Sequence, residues 1–145
     1  MFGDLKVKEV MVKDFAKCKK SDSVRKLLNK LKGKSNIIVV FDGRKPVGEI
    51  DELNLIKVMV NPKKVPHKYI VEMGFGVDFD YFAKTARDIM DPIGVCVGPE
   101  DSVTDAIIEM DDGDVKSLPV VEKGKVVGVV SDNDIVKAYL KRGNK

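Results

Sequence analysis

Ser131 and Asp134 stand three residues apart where an apolar run, Val126-Val127-Gly128-Val129-Val130, gives way to a helical pattern from Ile135 to Leu140. Such a pair at a strand-to-helix junction can do two kinds of chemistry. A carboxylate accepts hydrogen bonds from two hydroxyls at once, and the first turn of a helix offers unpaired N–H groups and a positive dipole end to an anion. The same pair can serve the chain alone as a helix cap, the first residue accepting an N–H bond and the fourth reaching back. The turn occurs twice. Eighty residues earlier, Pro46-Val47-Gly48-Glu49-Ile50-Asp51-Glu52-Leu53-Asn54 repeats the layout, with Asp51 where Ser131 stands and Asn54 where Asp134 stands.

The elements that must position these turns repeat as well. Met11 and Met90 each precede, by twelve residues, a serine followed by valine, Ser23-Val24 and Ser102-Val103. Internal repetition governs the fold, and here it means one unit of about 55 to 60 residues used twice. Each copy reads as a short strand (Phe15 to Cys18; Ile93 to Val97) followed by an amphipathic helix, with Val24, Leu27, Leu28 and Leu31, or Val103, Ile107 and Met110, at helical spacing. Gly33 and Gly113 are the expected helix stops. Two apolar strands then meet in hairpins at Asp42-Gly43-Arg44 and Glu122-Lys123-Gly124, and a second helix closes each copy. Neither small sheet can cover both of its faces alone, so an α+β fold is expected in which two β-α-β-β-α units pack through their sheets. Residues 1–60 and 84–145 form the units. The stretch 61–83 connects them and carries Tyr69, Phe75, Phe79, Tyr81 and Phe82, five of the nine aromatics, too many for a purely flexible linker.

The chain has 145 residues and is 43% hydrophobic, enough for a real core. No apolar run approaches the roughly 18 residues of a membrane span, and Met1-Phe2-Gly3-Asp4 opens no signal peptide, so a soluble cytoplasmic protein is expected. Cys18 and Cys96 lack CxxC spacing and are expected to be inert core thiols. Charge divides unevenly: residues 1–70 hold 17 Lys and Arg against 8 Asp and Glu, and the remainder 9 against 15. The two copies carry opposite sign.

On four landmarks in order, the second copy resembles a CBS domain, the small regulatory module named after cystathionine beta-synthase. These are Ala86-Arg87-Asp88-Ile89-Met90-Asp91-Pro92, Pro99-Glu100-Asp101-Ser102-Val103, Ser117-Leu118-Pro119-Val120-Val121, and Gly128 to Asp134. The first copy keeps Val7-Lys8-Glu9-Val10-Met11 and Gly48 but has Ile37-Ile38-Val39-Val40 where the family places a proline, and is the more divergent. The resemblance implies a tandem pair related by a pseudo-twofold axis, with two clefts that bind adenosine compounds such as AMP, ADP, ATP or S-adenosylmethionine. It assigns Ser131 to a phosphate and Asp134 to the ribose hydroxyls. The opposite wall of that cleft would come from Phe15, Ala16 and Ser35 of the other copy, and Lys116 lies where the family often puts a phosphate-contacting base. The second, weaker cleft would be built from Asp51 and Asn54 with Gly94, Val95 and Val115. No cofactor is implied beyond the regulatory ligand.

Asp51 weighs against a bare phosphate in that weaker cleft. A carboxylate about 4 Å from a phosphate charge opposes it by roughly 4 kcal/mol at an effective dielectric near 20. The first cleft is then empty, bridged by a cation, or suited to a neutral or cationic ligand, and capping alone is the stronger reading of Asp51 and Asn54. Other motifs fail. Gly33-Lys34-Ser35 lacks the first glycine of a P-loop, where Leu28 stands, and Asp111-Asp112-Gly113-Asp114 lacks the closing glutamate of a calcium loop. His67 has no evident cysteine or serine partner, and no set of nucleophile, base and orienter is present, which argues against an enzyme. The expected function is a stand-alone, non-enzymatic sensor of an adenosine ligand that signals to a separate effector. The charge split favours a head-to-tail homodimer. Two other readings stay open: a nucleic-acid-binding protein using the basic first copy, although few aromatics are interleaved with its lysines, and a scaffold with degenerate clefts.

Overall fold

The computed structural model describes residues 5–31, 37–59 and 84–143. Ser35, Gly33, His67 and the connector 61–83 lie outside them. In chain order the first unit holds α1 (Val7–Val10), β1 (Ala16–Lys19), α2 (Val24–Leu31), β2 (Ile37–Asp42), β3 (Lys45–Asp51) and α3 (Glu52–Lys57). The second holds α4 (Ala86–Ile89), α5 (Val103–Gly113), β4 (Ser117–Glu122), β5 (Lys125–Ser131) and α6 (Asp132–Gly143). This is the expected α+β fold of two repeated units. No helix among the described residues is long and apolar enough to cross a membrane.

Local chemistry explains the hairpins. Antiparallel β2 and β3 turn at Gly43, which sits at φ 62°, and β4 and β5 turn through Lys123 and Gly124 at φ 52° and 76°. Tight hairpins demand this left-handed backbone, and glycine adopts it without steric cost. Both ladders slip by one residue at the same place, between Val40 and Phe41 and between Val120 and Val121. The repetition therefore extends to an irregularity of register.

The first strands differ. β1 pairs in parallel with β2 from Ala16↔Ile38 to Lys19↔Phe41. The strand expected over Ile93 to Val97 is reduced to one parallel bridge, Val97↔Val120. Pro92 lacks an N–H and Gly94 weakens a strand interior, so the ladder starts only at Val97. The expectation of two core thiols is corrected here: Cys18 is buried but Cys96 is exposed. Val97, not Cys96, occupies the inward position equivalent to Cys18, and a shift of one residue turns a strand side chain to the opposite face. The helix faces also need correction. α5 buries Val103, Ala106 and Met110 and leaves Ile107 49% exposed, while α2 buries Leu27 and leaves Leu28 40% exposed. Gly113 is the last residue of α5, and Asp114 at φ 50° ends it.

Alternation along β2 divides the core. Ile38 and Val40 face the helices of their own unit with Leu27, Ile50 and Leu55. Ile37 and Val39 face the other unit and pack with Phe15 and Val129. Burial on both faces explains why Ile37 to Phe41 reads as an unbroken apolar run. Val39 and Val129 are fully buried at this contact between sheets, each contributing about 1.5–3 kcal/mol.

Each unit also lends its first helix to the other. Val7 of α1 sits in the second unit's core with Ala106, Leu118 and Val130. Its chain is tied there by Val7 N–H to Asp101 O (2.8 Å) and Val12 N–H to Val129 O (2.8 Å). In mirror fashion, Ala86 and Ile89 of α4 join the first unit's core, with Ala86 N–H to Asp22 O (2.8 Å) and Asp91 N–H to Glu49 O (3.0 Å). Gly48 and Gly128 permit the exchange. A Cβ at Gly48 would lie 2.6 Å from Met90 Sδ and 2.8 Å from Asp91 O; one at Gly128 would lie 2.8 Å from Met11 Sδ.

Candidate functional site

The two turns are built alike from the backbone up. At the end of β5 the Ser131 N–H and hydroxyl both donate to Asp134 Oδ2 (2.9 and 2.8 Å), and the Asp134 N–H donates to Ser131 Oγ (3.2 Å). At the end of β3 the Asn54 N–H donates to Asp51 Oδ1 (2.8 Å) and the Asp51 N–H to Asn54 Oδ1 (2.9 Å). Both are reciprocal caps. They differ in what remains free. Asp134 keeps Oδ1 without a partner among the described residues, whereas Asn54 commits its amide nitrogen to Asp91 Oδ2 at 3.0 Å.

Between the units lies a cavity of about 600 Å³. The first unit supplies Ile37, Glu49, Asp51, Glu52, Leu53 and Ile56; the second supplies Asp114, Val115, Lys116, Ser117, Asp132 and Asn133. The starts of β2 and β4 and the first turns of α3 and α6 thus converge on one space. Asp51 and Val115, expected in the weaker cleft, and Lys116, expected in the stronger one, line this one cavity together. Ser131 and Asp134 do not, but Ser131 pairs across the ladder with Ser117, and its chain neighbours Asp132 and Asn133 are in the wall. The Asp132 N–H holds the loop by donating to Lys116 O (2.9 Å).

The remaining candidates lie elsewhere. Phe15 is buried between the sheets and Ala16 in the first unit's core, so neither side chain lines the cavity. The Lys17 ammonium covers the Phe15 ring at 4.7 Å. Gly94 and Val95 are exposed and are not among the lining residues, although Val95 and the lining Val115 both approach Gly113. Ser35 is outside the described residues.

Two lining residues stand inside the sequence motifs without an expected role in the site, and both have unanswered polar atoms. Glu49 Oε2 and Ser117 Oγ are buried without a hydrogen-bond partner among the described residues. Ser117 as a residue is only 5% exposed. Burial, reinforced by the nearby charges of Asp91 and Asp51, pushes the Glu49 carboxyl up to about 7. A usable signal was in the repeat itself, since Glu49 occupies the strand position of apolar Val129. Elsewhere burial raises the Cys18 thiol to about 11, which leaves it protonated and unreactive near neutral pH. Among the described residues no three His, Cys, Asp or Glu are placed to hold a metal ion.

Comparison with known proteins follows the same division. The model of the CBS domain family matches the chain twice, over residues 7–61 and 86–141. Uncharacterized protein MJ1404 of Methanocaldococcus jannaschii is 28% identical over 144 residues, 97% of this chain but 34% of that one. The chain therefore spans about a third of the length of this relative. The structure resembles that of CBSX2 in complex with AMP, with a TM-score of 0.75 at 23% identity over 94% of this chain and 97% of the other. It also resembles the CBS domain pair of protein MJ0100 in complex with 5′-methylthioadenosine and S-adenosyl-L-methionine, with a TM-score of 0.70 at 21% identity over 94% and 97%. At these identities the likeness establishes the architecture.

Proposed function

The chain belongs to the CBS domain family, and from that premise we propose that it is a non-enzymatic regulatory module, which binds an adenosine-containing ligand between its units and passes the bound state to a partner. The observation that carries this reading is the cavity of about 600 Å³, to which each unit contributes the start of a strand and the first turn of a helix. That volume falls within the range of small-molecule sites, about 300–1,000 Å³. CBS pairs of the same architecture hold AMP, or S-adenosyl-L-methionine and 5′-methylthioadenosine. Ser131 and Asp134 stand next to the wall, and Oδ1 of Asp134, without a partner among the described residues, is available to a ribose hydroxyl. A ligand touching both units favours whichever relative arrangement it fits better, which is the physical basis of a switch.

The output is read by other chains. Outside the cavity wall, Met59 of the first unit and Val136 and Leu140 of α6 leave apolar side chains more than half exposed. With the basic first half and acidic second half, this supports a homodimer in which unlike units meet. Calorimetric titration with AMP, ATP and S-adenosylmethionine tests the ligand. Saturation near one per chain, weakened at least about tenfold by Asp134→Ala, is expected. Unchanged affinity in that variant removes the Ser131 turn from the site, and absence of binding by all three overturns the reading.

A further inference from the structure

The lining of the cavity is strongly one-sided in charge. Glu49, Asp51, Glu52, Asp114 and Asp132 face it, against Lys116. Acidic residues alone make no site, because exposed carboxylates are ordinarily answered by water. Here the independent observation is Ser117, a 95% buried residue on the cavity wall whose hydroxyl has no partner among the described residues, accompanied by Glu49 Oε2, likewise unanswered among them. Buried polar groups in native proteins are nearly always hydrogen-bonded, and exceptions call for a missing partner. Both atoms can therefore take a partner from whatever occupies the cavity.

We propose that this cavity selects a ligand bearing a sulfonium cation, with the Glu49 carboxylate as its charge partner and the Ser117 hydroxyl as a second polar contact. The proposal rests on the adenosine reading of the same cavity and narrows it. A polyphosphate entering here meets five carboxylates and a single amine. A metal ion would need several ligands converging on one point, and among the described residues no such group stands together. A diffuse organic cation needs only one well-placed carboxylate in a poorly solvated wall. Glu49 is well placed because its backbone is bonded on both sides to Asp91, N–H to O at 2.9 Å and O to N–H at 3.0 Å, which fixes where its side chain starts. Asp51 and Asp91 beside it raise its proton affinity, and an arriving cation would displace that proton. Near pH 7, binding should therefore release protons, visible as a binding heat that varies with the ionisation enthalpy of the buffer.

The test is a titration above pH 7 with S-adenosylmethionine, with S-adenosylhomocysteine, which lacks the charged sulfur, and with ATP with and without magnesium. The wild-type protein should prefer the sulfonium to the thioether by about tenfold or more, and Glu49→Gln should reduce that preference to about twofold. The wild-type ratio needs no variant, so it decides the matter even if the substitution impairs folding. Equal affinity for sulfonium and thioether, tighter binding of ATP in either form, or a preference surviving in Glu49→Gln overturns this proposal and leaves the adenosine reading intact. Failure of every adenosine compound to bind overturns both.

Discussion

The turn at Ser131 and the turn at Asp51 share a backbone design and differ in the use of their side chains. Both close a strand and start a helix through a reciprocal cap. In the second unit the cap uses one carboxylate oxygen of Asp134 and leaves the other available. In the first unit the Asn54 amide also bridges to Asp91, so the turn helps to anchor the exchanged segment that follows α4. Capping and ligand binding are therefore not exclusive alternatives, and the surplus of hydrogen-bonding atoms after capping decides which turn has a second use. Charge differs too. Where the second unit has Val129, fully buried between the sheets, the first has Glu49 with an unanswered oxygen.

The largest expected effect tests the exchange of helices. In Gly48→Ala the new Cβ meets a backbone carbonyl of Asp91 at 2.8 Å as well as the flexible Met90. In Gly128→Ala the nearest backbone atom is Val12 O at 3.1 Å. Overpacking of this kind costs about 1–3 kcal/mol, with Gly48→Ala near the upper end and Gly128→Ala near the lower. Urea unfolding measures both, and equal losses would show that the two docking seams are equivalent. The next effect separates the caps. Asp134→Ala strands the buried Ser131 N–H and hydroxyl and should cost about 1–2 kcal/mol, whereas Asn54→Ala, beside exposed Asp51 and Asp91, should cost less than about 1. A reversed order in thermal melts would remove the distinction drawn between the turns.

The smallest effect concerns Glu49, whose folded carboxyl is raised from 4.5 to about 7. Between these values the folded chain keeps a proton that the unfolded chain has released. The stability contributed by this group is thus complete below about 4.5 and lost as the pH climbs through 7, a decline on the order of 1 kcal/mol after solvent screening. Glu49→Val, which makes the first unit resemble the second, should flatten the melting temperature over that range. A slope surviving in the variant would assign the pH dependence to other groups.

Much of the architecture was legible because its signals are local. Glycine at the hairpin tips, serine and aspartate at helix starts, and an apolar run on β2 act within a few residues, and their recurrence at an offset near eighty exposed the duplication. The short strand before Val97 and the outward Cys96 were not legible, because apolar composition does not reveal which residue begins the ladder. Asp51 and Val115 of one predicted cleft and Lys116 of the other converge on the same cavity because they border the strand starts and helix turns that form its wall. Phe15 and Ala16 are absent from it because the sheets bury them first.

By itself the sequence determined the repeat, the order of elements, the capped turns and the opposite charge of the halves, since propensity, capping and patterning act over short spans of chain. Tertiary structure decided which unit receives each first helix, which carboxylate is desolvated, and where the cavity opens. Those outcomes depend on contacts between residues distant along the chain, such as Gly48 against Met90 and Glu49 beside Asp91. Desolvation comes from three-dimensional neighbours, so only the folded molecule could distinguish Glu49 from an ordinary surface glutamate.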